Sequence, residues 1–176
     1  PMLRKLKKHK DWVWTVLLSH DQKHLYSSAG SKELYRWDYE EGELVTRFYG
    51  HHAAIFGLAE HPQKKQLASA SWDGTVRIWN SHSGNEVQIL TPRGAMQAIC
   101  YSPDGKFLVV ADKGGNIYIY ETKNWQKERE FQAHAGGIYA LKFQKTEEGL
   151  MLLSGGADGY LKFWGWERIM GKAFRP

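Results

Sequence analysis

Serine, histidine and aspartate recur together twice in this chain, first as His51, Ser69 and Asp73 and again as His134, Ser154 and Asp158. These are the side chains of a serine hydrolase, in which the hydroxyl attacks, the imidazole takes its proton and the carboxylate orients the imidazole. Three features argue for structure instead. An active site occurs once, and this group occurs twice. Each copy carries a tryptophan, Trp79 or Trp164. In each copy Ser precedes that Trp by ten residues and Asp precedes it by six. Fixed offsets from one landmark mark a repeated unit, so no residue is assigned to catalysis and the chain is not expected to be an enzyme.

Other chemistry finds no support either. The turns GSK at 30–32 and KGGN at 113–116 lack the flanks of a phosphate-binding loop. The eight histidines are scattered, and adjacent His51 and His52 would point apart on a strand. No metal-ligand spacing appears, so neither a metal nor a cofactor is expected. The single cysteine, Cys100, sits in an apolar strand. It excludes an intramolecular disulfide, fits a reducing compartment and reads as a small buried hydrophobe.

The elements that position these residues follow from a period. HKDWVWTV from His9, HHAAIFGL from His51, RGAMQAIC from Arg93 and HAGGIYAL from His134 align, with anchors Val13, Ile55, Met96 and Ile138 spaced 42, 41 and 42 residues apart. Each unit closes on an aromatic, Trp37, Trp79, Tyr120 or Trp164, at spacings of 42, 41 and 44. The longer a–b connection QKTEEG explains the last interval. Two landmark series that keep one period define four repeats, at about 9–50, 51–92, 93–133 and 134–176, with residues 1–8 as a separate d-type strand.

Within the second repeat IFGLAEH, QLASAS, TVRIWN and EVQIL read as strands a to d. Asp73-Gly74 and Asp104-Gly105 supply the positive φ that a tight hairpin turn requires. The fold class is all-β.

Gly50-His51, SASWDGTVRIWN at 69–80 and SGGADGYLKFW at 154–164 resemble the WD-repeat family. The resemblance covers essentially the whole chain and implies a β-propeller of WD-type blades. It also implies a role for the recurring polar group: the Asp of the b–c turn bonds the His, the His bonds the Ser, and the Ser bonds the Trp indole N–H. The first repeat keeps His9, Ser27 and Trp37 but has Ser31 where Asp is expected. The third has Arg93, Val110, Gly114 and Tyr120, so that network is absent. Apolar packing of Met96, Ile99, Tyr101, Phe107, Leu108 and Ile117 is expected to hold this blade, which should open most easily.

The resemblance further implies a binding face where the d–a and b–c connections emerge. By position the outward residues are Trp12, Trp14 and Gly30 in the first repeat and Ala54, Phe56 and Trp72 in the second. The third gives Ala95, Gln97 and Lys113, and the fourth Gly137, Tyr139 and Ala157. Five of the twelve are aromatic, the residue class enriched at binding hot spots. Trp12, Trp14, Phe56, Trp72, Lys113 and Tyr139 are therefore the expected partner-binding residues.

Charge adds little. The net +5 is accounted for by Arg4, Lys5, Lys7, Lys8 and Lys10, while the remaining residues balance. That basic segment reads as a protected strand edge or as a phosphate contact. No apolar run is long enough for a membrane span, and no signal-peptide pattern follows the basic start. The expected function is a scaffold for protein–protein interaction inside the cell, cytoplasmic or nuclear, with a nucleic-acid-associated module as the alternative. Residues 131–169 are similar to a blade in the WD subunit of the THO messenger-RNA export complex, which implies ribonucleoprotein partners. Rings of this family usually hold about seven or eight blades. Four repeats, starting at Pro1 and ending after a c-type strand, lead to the expectation of a fragment of a longer propeller or a dimer closed by exchanged N-terminal strands.

Overall fold

The computed structural model describes residues 5–171. Every repeat folds as an antiparallel sheet in which the strands follow chain order. The first holds β1 (Val13–Leu18), β2 (His24–Ala29), β3 (Leu34–Asp38) and β4 (Glu43–Phe48). The second holds β5 (Ile55–Glu60), β6 (Gln66–Ser71), β7 (Val76–Asn80) and β8 (Glu86–Leu90). The third holds β9 (Met96–Tyr101), β10 (Phe107–Asp112), β11 (Asn116–Glu121) and β12 (Lys127–Gln132). The fourth has three strands among the described residues, β13 (Ile138–Thr146), β14 (Gly149–Gly156) and β15 (Leu161–Gly165), followed by one helical turn, α1 (Trp166–Ile169).

The registers show one unit used four times. The closing aromatic of each third strand faces a leucine of the second: Trp37 and Leu25, Trp79 and Leu67, Tyr120 and Leu108, Trp164 and Leu152. Gly74 and Gly105 take φ of 84° and 69°, the left-handed geometry that their turns demand. A one-residue bulge interrupts the pairing of every first strand. It leaves Trp14, Phe56, Gln97 and Tyr139 as the extra residues between paired neighbours.

Three apolar cores form between consecutive sheets. Tyr26, Leu34, Phe48, Ile55, Leu67 and Trp79 join the first sheet to the second. Val76, Ile78, Met96, Leu108, Val110 and Tyr118 join the second to the third. Ile117, Ile119, Ile138 and Leu152 join the third to the fourth, and Trp166 of α1 adds its ring edge to Phe107 and Phe143. Strands β9, β10 and β11 are thus buried almost throughout, because the third blade is packed on both sides.

The ring is not closed. Leu161 and Phe163 are 62% and 63% exposed, whereas Val76 and Ile78, at the same register positions of the second blade, are fully buried. Val13 of the first blade is 49% exposed where Ile55, Met96 and Ile138 are fully buried. The d-type strand expected at residues 1–8 falls partly outside the described residues, and Lys5–Lys8 lie in no strand. No helix among the described residues is long and apolar enough to cross a membrane.

Candidate partner-binding face

The structure brings each recurring polar group together. In the second blade His51 Nδ1 lies 2.8 Å from Asp73 Oδ2, its Nε2 lies 2.7 Å from Ser69 Oγ, and Trp79 donates its indole N–H to the same oxygen at 2.8 Å. In the fourth, His134 contacts Asp158 and Ser154 at 2.8 Å each, and Trp164 donates to Ser154 at 2.8 Å. An ionised carboxylate only accepts, so Nδ1 carries the imidazole proton and Nε2 accepts from the serine hydroxyl. Ser69 and Ser154 are 0% and 1% exposed. A nucleophile must be reachable, and these hydroxyls are sealed beneath tryptophan.

The carboxylates are tuned by the same contacts. Burial pushes the Asp73 carboxyl upward, but hydrogen bonds from His51, Thr75 and the His52 backbone outweigh it and hold the group well below the usual range. Asp158 is lowered chiefly by its hydrogen bond from His134, with help from the Ala135 and Tyr160 N–H groups. Cys100 packs beside the third interblade core, and burial pushes its thiol up.

Two blades solve the problem differently. In the first, His9 Nε2 lies 2.6 Å from Ser27 Oγ, to which Trp37 donates at 2.8 Å. The carboxylate is supplied by Glu33, 3.5 Å from His9 Nδ1, and the Ser31 hydroxyl donates to Glu33 at 3.0 Å. An acid two residues downstream thus stands near the place of the absent Asp, at ion-pair distance and without a hydrogen bond to His9 Nδ1 among the described residues. In the third blade Met96, Ile99, Tyr101, Leu108 and Ile117 are buried in the apolar cores with Phe107 packed against them, as expected, and a polar network of another kind accompanies them. Buried Asp112 accepts from the backbone and side-chain N–H of Asn116 at 2.8 and 3.0 Å. The Tyr118 hydroxyl lies 2.9 Å from Asp112 Oδ2 and 2.8 Å from the Arg93 carbonyl, so its one proton is shared. The signal available was the Asp112…Asn116 spacing across the Gly114-Gly115 turn.

The bulges build a different kind of site. A bulge turns its extra residue out of the ladder, and here the extra residues of four blades converge. Trp14, Phe56, Gln97 and Tyr139, together with Trp72 and Lys113 from the b–c turns, line one cavity of about 450 Å³. Trp12 packs on Trp14 with ring centroids 5.7 Å apart, Trp14 on Phe56 at 4.8 Å, and Phe56 stacks on Trp72 at 4.5 Å. Lys113 Nζ caps the row 4.8 Å over the Trp72 ring. Five of the six expected residues form one ladder across three blades. Tyr139 lines the cavity without a ring contact to it, and Gln97, an outward position with no aromatic signal, joins them. Trp12 is 73% exposed and Tyr139 63%. A larger hollow of about 740 Å³ lies between the β13–β14 hairpin and α1. It is bordered by Phe163 and by Glu147, Glu148 and Glu167, at the unpacked side of the fourth blade.

Comparison with known proteins agrees with this architecture. Residues 1–38 and 42–80 match the family described as "WD domain, G-beta repeat", and residues 89–148 match the "Anaphase-promoting complex subunit 4 WD40 domain". The chain is 37% identical over 99 residues to a periodic tryptophan protein 2 homolog of Dictyostelium discoideum, covering 56% of this chain and 11% of that protein. It is 30% identical over 123 residues to eukaryotic translation initiation factor 3 subunit I of Coccidioides immitis (strain RS), covering 67% and 36%. It is 24% identical over 153 residues to pre-mRNA-processing factor 17 of Homo sapiens, covering 84% and 26%. The chain therefore spans about a tenth to a third of the length of these relatives.

Proposed function

Because the chain belongs to the WD-repeat family, we propose that it is a non-catalytic scaffold that holds partner proteins against the face made by Trp12, Trp14, Phe56, Trp72, Lys113 and Tyr139. One observation carries this reading: four bulges at one register position deliver side chains from four blades into a single open cavity. Large aromatic surface kept in water is costly, and in soluble proteins it marks interaction sites. The recurring Ser-His-Asp groups, by contrast, hold the blades.

The test is a triple substitution, Trp12→Ala, Trp14→Ala and Trp72→Ala, with captured partners identified by mass spectrometry. Loss of partners with unchanged circular dichroism supports the reading. An unchanged partner set returns the three tryptophans to packing.

A second reading is favoured by the names of the relatives, which include a pre-mRNA-processing factor and a translation initiation factor subunit. On this reading the scaffold works within a ribonucleoprotein assembly, cytoplasmic or nuclear, and touches nucleic acid through its basic first ten residues. Binding to RNA that falls steeply with salt would support direct contact, because phosphate contacts release counterions.

A further inference from the structure

The cavity's electrostatics narrow the chemistry of its occupant. This step rests on the reading that the aromatic face holds a partner, and it concerns what that partner presents. Phe56 has two ring neighbours: it stacks on Trp72 and lies tilted at 37° to Trp14. The face it gives to Trp72 is closed to an incoming cation. Aromatic edges are the electropositive part of the ring quadrupole. Trp72 is flanked by Phe56 and by the Lys113 ammonium, so an incoming cation would meet a charge already in place.

The donors are also unspent. Trp37, Trp79 and Trp164 each give their indole N–H to a serine, but the indoles of Trp14 and Trp72 have no acceptor among the described residues. Exposed Lys113 has no carboxylate within ion-pair distance among those residues either. Gln97 is 4% exposed and lines the cavity, and its Oε1 has no hydrogen-bond partner among the described residues. An amide in that state matches a peptide group, which offers both a donor and an acceptor.

The far end of the ladder carries the opposite sign. Asp11 accepts the Trp12 backbone N–H at 2.7 Å, and its carboxylate flanks Gly30 beside Trp14 Nε1. A polyanion laid along the ladder would run over this charge. One ammonium also matches one carboxylate, whereas dianionic phosphate is typically gripped by arginine forks.

We propose that the cavity takes an aspartate or glutamate from an extended peptide, its carboxylate on Lys113, with an adjacent aromatic or aliphatic residue against Trp14, Phe56 and Tyr139.

The experiment is selection of a phage-displayed random hexapeptide library on the whole chain and on its Lys113→Glu variant. Lys113 is exposed in a turn, so both should show the same thermal melt. Lys113→Met, which keeps length and removes charge, is the second variant. Expected is enrichment of Asp or Glu beside Phe, Leu, Met or Trp on the parent, and a turn toward Lys or Arg on Lys113→Glu. A synthetic peptide of the winning sequence should lose about tenfold in affinity on Lys113→Met, and as much when its own acid becomes the amide. Failure to enrich acids, or equal binding of the same peptides to both variants, overturns the proposal. Tighter binding of oligouridine than of any selected peptide, abolished in Lys113→Glu, overturns it in favour of nucleic acid. If the triple tryptophan variant loses its natural partners while the selection shows no dependence on acid, the scaffold reading stands and this one falls. If the triple variant keeps its partners while acidic peptides still bind at Lys113, the reverse holds.

Discussion

Asp73 Oδ2 lies 2.8 Å from Nδ1 of His51 and is also 2.9 Å from the backbone N of His52, so one carboxylate oxygen ties the b–c turn to the loop that enters the same blade. Its Oδ1 accepts from the Thr75 N–H and hydroxyl at 2.9 and 2.6 Å. Asp73→Ala strands all of these donors at once. The expected loss is about 1–3 kcal/mol of stability, with the aromatic face untouched. Thermal unfolding measures the first, and partner capture measures the second.

Acid should find the same residues. Asp73 and Asp158 are both held below their unfolded values. Their contribution is fully present above the unfolded carboxylate range, about pH 4, and fades as pH falls from there through the lowered folded values. Asp73→Asn removes one of these groups, so its melting temperature should depend less on pH below about 4 than the parent's. Parallel curves for the two proteins would contradict the assignment.

Glu33 is a weaker substitute than Asp73. Its carboxylate sits 3.5 Å from His9 Nδ1, against 2.8 Å in the second blade, and it is partly open to water. Glu33→Ala should therefore cost under about 1 kcal/mol, less than Asp73→Ala under the same conditions. Denaturant titration of the two variants side by side gives the ranking.

In the third blade the shared Tyr118 proton can be removed without disturbing shape. Tyr118→Phe deletes one donor and leaves Asp112 with both N–H groups of Asn116. About 1 kcal/mol should be lost. Asp112→Ala, which leaves Asn116 and Tyr118 facing an empty acceptor position, should cost more. Equal melting of Asp112→Ala and parent would show that apolar packing holds this blade without help from Asp112.

The unpacked outer faces should make the 176-residue chain associate with itself. Val13, Leu161 and Phe163 occupy positions that are sealed in interior blades. Light scattering should show growth in mass with concentration, and Leu161→Lys with Phe163→Lys should suppress it. A parent that stays monomeric across the same range would sink this expectation.

The sequence carried the fold because a period of 41 to 44 residues repeats both the apolar anchors and the closing aromatics, from Val13 to Trp164. It carried the polar groups of the second and fourth blades because Ser and Asp keep identical offsets from the closing Trp and each His opens its repeat. Glu33 escaped because the substitute acid sits at another offset, reached by the longer glutamate side chain. Asp112 escaped because its partners Asn116 and Tyr118 are types absent from the pattern. The aromatic residues could be placed on one face, but their stacking order could not, since it arises from the spacing between blades. The bulges were not visible at all: an extra residue in a strand leaves the alternation intact on either side.

Those bulges separate two tasks within one strand. The paired residues around them set the register and bury the cores. Trp14, Phe56, Gln97 and Tyr139 are the unpaired residues at which the register shifts by one, so none of them is held in a cross-strand pair. Their side chains can therefore be rewritten as a set while the sheets keep their grammar. A collection of variants randomised at these four sites would explore many recognition surfaces on an unchanged frame, which makes this arc of blades a natural starting point for engineered binders.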